Sequence, residues 1–248
     1  MRNSGLIALL VLSLLAAPAL ADDPPAGAPI TPNAQGLSDA ELDRRIEWLE
    51  QTLDAGAGYS KLWQYGWSSG YAVGMVAGAV RAGTENKKNN KKKHEVRTNA
   101  IVTASKALIG TTRLLLTPHP GRLGAQPMRD VVGTNHDAKL QRLAAGEAQL
   151  EEVAERAEKR HRWQRHAGNV ALNLIGGGFI FGFGDDTDAA VSIGVGIVVG
   201  ELMIWTSPKR AEADLQSYRQ QFASTPQDPP WTVSLVPMTG GAGIKIDF

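Results

Sequence analysis

At 248 residues without a single cysteine, the chain is long enough to bury a real core, and it excludes disulfide staples, thiolate metal sites and a cysteine-linked lipid anchor. Lys and Arg number 26 against 25 Asp and Glu, so no global charge draws it toward nucleic acid.

The N-terminus has the layout of an export signal. Arg2 precedes an apolar run from Leu6 to Leu15, and Ala19-Leu20-Ala21 offers a small-x-small cleavage site ahead of Asp22 and Asp23. The run is shorter than the ~20 residues a membrane span needs. Residues 1–21 are therefore expected to be a cleavable signal peptide, and the working protein an envelope or secreted one. Arg2 leaves with the leader and no acid does, which brings bases and acids level. Residues 22–37 are rich in Pro, Ala and Gly without periodicity, as expected of a flexible leader.

Ser38-Asp39-Ala40-Glu41 has capping-box spacing, and Leu42, Ile46, Leu49 and Leu53 follow at helical intervals, which predicts a helix over about 38–54 with Trp48 widening its apolar face. From Leu62 to Val80 there is no charge, and Gly66, Gly70, Gly74 and Gly78 recur every four residues. In a helix they form one stripe along which a second helix can approach closely. Four is also a multiple of two, so a strand would place Trp63, Tyr65, Trp67, Tyr71, Val73 and Met75 on one face. Thr84 to His94, with Lys87, Lys88, Lys91, Lys92 and Lys93, reads as a solvated turn, a cytoplasmic loop or a contact for anionic headgroups. An amphipathic helix is expected over Glu95–Leu116, completing a Gly-rich hairpin at about 60–116. Thr117-Pro118-His119-Pro120-Gly121 ends it, and loop composition persists to about Gly133.

Residues 134–166 carry Leu140, Leu143, Leu150, Ala154 and Ala157 in a three-four pattern on a charged background. Glu147 and His161 interrupt the seam, so this long polar helix reads as an arm of a bundle and not a coiled coil. A second hairpin is expected over 167–206: two uncharged arms flank Asp185-Asp186-Thr187-Asp188, and Ser192, Gly196 and Gly200 repeat the small-residue spacing. Ser207-Pro208 offers an N-cap with proline at the first position of a polar helix to Ala223. Residues 228–248 alternate apolar and polar around Thr239-Gly240-Gly241 and predict a terminal β-hairpin.

The fold class expected is mainly α: glycine-striped helical hairpins in a bundle, residues 38–223, followed by that β-hairpin. The rival is a set of membrane strands, since Phe179, Phe181 and Phe183 and then Val191, Ile193, Val195, Ile197 and Val199 alternate with small residues. Against it, a barrel needs at least about eight spans, more than the helical segments leave room for.

No catalytic, cofactor or metal site is assigned. Gly66-Trp67-Ser68-Ser69-Gly70 matches a nucleophile elbow, but too little chain precedes it to build the sheet of a hydrolase. Gly194-x-Gly196-x-x-x-Gly200 lacks the βαβ unit of a dinucleotide loop. His94, His119, His136, His161 and His166 form no pair at ligand spacing and read as surface residues. The informative positions are the helix-packing set Gly66, Gly70, Gly74, Gly78, Ser192, Gly196 and Gly200, and four polar groups inside apolar blocks, Lys106, Asn169, Asn173 and Glu201. Desolvation obliges each of these four to find a partner, and Glu201 is expected to meet Lys106 or Asn173.

His166-Ala167-Gly168-Asn169-Val170-Ala171-Leu172-Asn173, with Gly196-x-x-x-Gly200-Glu201-Leu202-x-Ile204-x-Thr206-x-Pro208, resembles uncharacterised exported proteins of Gram-negative bacteria. The resemblance runs from Leu62 to Pro208 and implies a membrane-associated helical domain, without an activity or a site. The function expected is a non-enzymatic structural or interaction protein in the periplasm or cell-envelope membrane, with membrane lipid, another envelope protein or a second copy of itself as partner. The alternatives are a pore-forming or lipid-remodelling protein, and behind it a β-barrel component or a hydrolase of unrecognised kind.

Overall fold

A computed structural model describes residues 34–84 and 91–223, with only the backbone of 91–94 and 223, and the backbone of 232–238 and 241–247. The expected signal peptide, most of the leader and the centre of the lysine turn lie outside the described residues. The described chain is mainly α and forms a helical bundle. The Gly-rich blocks are helices, so the strand reading of those blocks is overturned.

Helix α1, Asp39–Thr84, is one unbroken rod of 46 residues where two separate elements were expected. Ser38 opens it: its Oγ accepts from the Glu41 amide at 3.3 Å. Ala55-Gly56-Ala57-Gly58 in the middle holds no proline and no glycine of positive φ. Each glycine weakens the helix by about 1 kcal/mol, and the packing on either side carries the rod across.

The remaining helices are α2 (Lys91–Leu116), the single turn α3 (Gln126–Arg129), α4 (His136–His161), α5 (Trp163–Phe183), α6 (Asp186–Trp205) and α7 (Arg210–Tyr218). Several boundaries depart from expectation, the first being that α2 begins at Lys91, inside the turn expected over Thr84–His94. The long polar helix stops at His161, because Arg162 is extended (φ −67°, ψ 145°) and sends the chain directly into the second hairpin. The final helix starts after Lys209 and not at Ser207. Ser207 is buried, and its hydroxyl donates back to the Ile204 carbonyl at 2.8 Å, so it closes α6 instead of opening α7. The segment to Gly133 is also less irregular than expected, since α3 and a 3₁₀ turn at Pro120–Leu123 lie within it.

These helices form two halves. The first is a body in which the N-terminal part of α1 packs on α4 and α7 around Leu42, Leu49, Met128, Leu143, Leu150 and Tyr218. Fully burying such a side chain contributes about 1.5–3 kcal/mol. Trp48 closes one side, 5.3 Å from the Tyr218 ring and 6.1 Å from Phe222.

The second half holds the C-terminal part of α1 against α2, and α5 against α6. Thr98 Oγ1 donates to the Phe183 carbonyl at 3.5 Å, so both hairpin tips lie at the end away from the body. At the body end, Tyr59 Oη donates to the Thr206 carbonyl at 2.7 Å and Trp67 Nε1 to Thr206 Oγ1 at 3.1 Å. The α5–α6 turn is sharp because Asp185 caps α6, its Oδ1 accepting from the Thr187 and Asp188 amides at 2.9 and 3.2 Å.

The helical part contains no strand among its described residues. The β-hairpin expected over 228–248 is not supported by it. Of that region only the backbone of Thr232–Met238 and Gly241–Asp247 is described, extended and antiparallel.

Candidate functional site

The glycine stripe divides by what lies opposite each residue. A Cβ on Gly66 or Gly70 would meet nothing within 4 Å, whereas on Gly78 it would lie 3.0 Å from the Ala100 carbonyl, the Ala104 amide and the Ala104 Cβ. Gly74 has the Ala107 Cβ at an ordinary 3.7 Å. Close approach of α1 and α2 is therefore confined to the lower part of the stripe. On α6 the small residues make room for side chains and not for a backbone: Asn173 occupies the space beside Gly196, and Asn169 that beside Gly200.

The four polar positions join two networks, and the expected pairing of Glu201 is corrected. Glu201 Oε1 accepts from Asn169 Nδ2 at 2.9 Å and its Oε2 lies 2.6 Å from His166 Nδ1. Asn173 Nδ2 donates to the Asn169 carbonyl and Oδ1, both at 2.9 Å. Spaced one helical turn apart on α5, His166, Asn169 and Asn173 form a ladder, which puts the Glu201 partners on the facing helix at the same height. Lys106 is 3.5 Å from both the Ser192 carbonyl and Ser192 Oγ, farther along the hairpin.

Between the two hairpins runs a cleft of about 960 Å³. Trp67, Tyr71 and Gly74 of α1 line one wall, and Val191, Val195 and Val199 of α6 another. Five cations line it, Lys106, Arg113, Arg156, Arg160 and Arg165, and among its described lining residues there is no Asp or Glu. Arg160 lies over the Trp63 ring, 4.4 Å from guanidinium carbon to centroid, an attraction of the cation for the π face. Burial, and then the charges of Arg156, Arg113 and Arg165, push Arg160 down to about 9. The four guanidinium groups therefore feel one another.

Beside this cluster sits His119, which is fully buried and not the surface residue expected of the histidines. Its amide donates to Gln64 Oε1 at 3.0 Å, while Gln64 Nε2 donates to the Leu114 carbonyl at 2.6 Å. His119 Nδ1 accepts from the Gly121 amide at 3.1 Å, so the imidazole is the neutral Nε2–H tautomer. Burial first, then Arg160 and Arg156, push it down to about 3. Gly121 is required here, because a Cβ would lie 2.7 Å from Ser60 Oγ. This arrangement locks the 117–125 connection from α2 to α3 against α1; it is a structural node.

The serines of Gly66-Trp67-Ser68-Ser69-Gly70 lie within α1, and Gly194, Gly196 and Gly200 within α6, so neither motif adopts the turn its chemistry needs. Among the described residues no group of three His, Asp or Glu is placed to hold a metal. Sequence reasoning passed over the arginine cluster, although Arg156 and Arg160 stand one turn apart on α4 with Arg165 just beyond. Comparison with protein-family models, with curated proteins and with solved structures gives no match.

Proposed function

We propose that this is an exported, non-enzymatic protein of the Gram-negative cell envelope, held in a membrane by its two Gly-rich helical hairpins with the α4–α7 body outside the lipid. The observation that carries this reading is the placement of exposed apolar surface. Val73, Val76, Leu174, Phe181, Val198 and Leu202 are all at least half exposed on the hairpins and lie outside the cleft, whereas Leu42, Leu49, Leu53, Leu143 and Leu150 of the body are buried. Apolar surface this extensive marks an interaction with protein or lipid.

Four features favour lipid. Trp163 at the start of α5, Trp205 at the end of α6, and Tyr59 and Tyr65 on α1 are exposed at the body end of the hairpins, as in the aromatic belts of membrane proteins. Helices α5 and α6 have 21 and 20 residues, about 30 Å at 1.5 Å per residue, which matches the hydrocarbon thickness. Among the described residues one stretch, Asp186–Phe222, which opens with α6, is apolar enough to cross a membrane by length and composition, with mean hydropathy 1.8 and 6% of its apolar window buried. The polar ladder of α5 faces the hairpin interior, where intramembrane polar groups belong.

Export rests on the layout of residues 1–21, and the envelope assignment also on the resemblance of the 62–208 region to exported proteins. The same reading includes a small terminal β-hairpin, which rests on the alternation of apolar and polar residues over 231–248. The pore-forming alternative draws on the cation-lined cleft and predicts dye efflux from liposomes.

Fractionation of the envelope followed by alkaline carbonate tests the main reading. The protein is expected in the carbonate-resistant pellet, with a helical far-ultraviolet circular dichroism spectrum after recovery in detergent. Release into the supernatant would show that the hairpins do not enter lipid.

A further inference from the structure

The cleft combines charge of one sign with a hydrocarbon wall. Arg113 comes from the end of α2, Arg156 and Arg160 from the last two turns of α4, and Arg165 from the first turn of α5, so three helices converge on one mouth. Helix α5 begins there with Arg162 at its N-cap, whose side chain does not cap the helix and turns back to donate to Glu158 Oε1 at 2.8 Å, so the positive end of the helix dipole adds to the mouth. Arg160 Nε is buried without a hydrogen-bond partner. Glu201, engaged by His166 and Asn169, is not among the lining residues. Farther in, Ile175, Val191, Val195 and Val199 supply an apolar surface, with Lys106 partway along. The volume of about 960 Å³ falls at the upper end of the ~300–1,000 Å³ range of small-molecule sites.

A soluble anion needs the cations and has no use for the hydrocarbon wall; a neutral lipid chain needs the wall and not the cations. We infer that the cleft binds one anionic amphiphile, with its phosphate or carboxylate head on Arg156, Arg160 and Arg165 and its acyl chain along α6. Guanidinium groups suit such heads because their paired N–H donors match two oxygens at once. The inference rests on the membrane reading for the source of the ligand, since the mouth lies at the level of the exposed tryptophans, where headgroups would be. The chemistry of the cleft is independent of that reading.

The test uses the full chain in a neutral detergent, where binding does not require insertion into a bilayer. Native mass spectrometry follows retention of phosphatidylglycerol, phosphatidylcholine, laurate and inorganic phosphate at equal concentration. Phosphatidylglycerol is expected to be retained about tenfold over phosphatidylcholine, and Arg160→Gln with Arg165→Gln to bring the two within about twofold. Arg165→Gln alone keeps the Arg160–Trp63 stack and is expected to lower the preference at least about threefold, which covers the case in which the double variant does not fold. Arginine-dependent retention of laurate would assign a free fatty acid as a ligand of the same site. Equal retention of phosphatidylcholine, retention of phosphate as strong as that of phosphatidylglycerol, or an unchanged preference in Arg165→Gln would overturn the proposal. Release from membranes by carbonate would sink the membrane reading and leave this result standing.

Discussion

The Tyr218 hydroxyl donates to Glu147 Oε1 at 2.7 Å, with the tyrosine fully buried and the glutamate 3% exposed. This contact joins α7 to α4 at the centre of the body. A carboxylate in that position is tolerated because hydrogen bonds replace the water it lost. Tyr218→Phe removes the donor and keeps the ring against Trp48. It is expected to lower unfolding stability by about 1–3 kcal/mol, measured by thermal or denaturant unfolding of the full chain. A change within experimental error would mean that the hydroxyl is no more than a passenger.

His119 sets a pH dependence whose sign follows from its burial. Its imidazole titrates near the ordinary 6.5 when unfolded and at about 3 when folded. Between those values the unfolded chain binds the extra proton, so the stabilisation is fully present above about 6.5 and is lost as pH falls, at up to about 1.4 kcal/mol per pH unit. Asp39, held down by His136, and Asp54, held down by Arg129, titrate below the ordinary 3.8 and act at lower pH. The chain has four other histidines, two of them paired with carboxylates (His136 with Asp39, His166 with Glu201), so unfolding is followed from pH 7.5 to 4.5 in both the parent chain and His119→Asn, and their difference reports this imidazole. His119→Asn is expected to flatten that limb, and an equal slope in both proteins would place the proton elsewhere.

The two ends of the α1 glycine stripe should respond in opposite ways. Gly66 faces open space, so Gly66→Ala is expected to be neutral or to stabilise by up to about 1 kcal/mol through helix propensity. Gly78 faces the backbone of α2 at 3.0 Å, which cannot move aside as a flexible side chain can. Gly78→Val is expected to destabilise by about 1–3 kcal/mol, seen as a lower midpoint of thermal unfolding in detergent. Equal responses would show that the stripe has one role along its whole length.

Much of the bundle was legible because helical periodicity and the acidic turn are local signals. Leu42, Ile46, Leu49 and Leu53 announced the buried face of α1, and Asp185 announced the hairpin turn by the cap it makes. The fusion of two expected helices into α1 was hidden because glycine marks both a break and a close contact, and only the neighbours decide which. His119 was misread for a related reason. Its burial depends on Gln64, Ser60 and Arg160, which lie far away in sequence, and nothing in Pro118-His119-Pro120 foretells them. Glu201 was recognised as needing a partner, but two residues of α5 within reach by composition, Asn169 and Asn173, differ by one turn, and the register of α5 on α6 chose Asn169. The arginine mouth arises from three helices and has no local pattern at all.

The unbroken α1 belongs equally to the body and to the hairpins, and it extends for about 70 Å at 1.5 Å per residue. It acts as a shaft. A tilt or roll of its far end is delivered to Leu42 and Leu49 as the same rigid motion, with no joint along the way to absorb it. Whatever fills or vacates the space beside Tyr71 thus has a mechanical route to the opposite pole of the molecule.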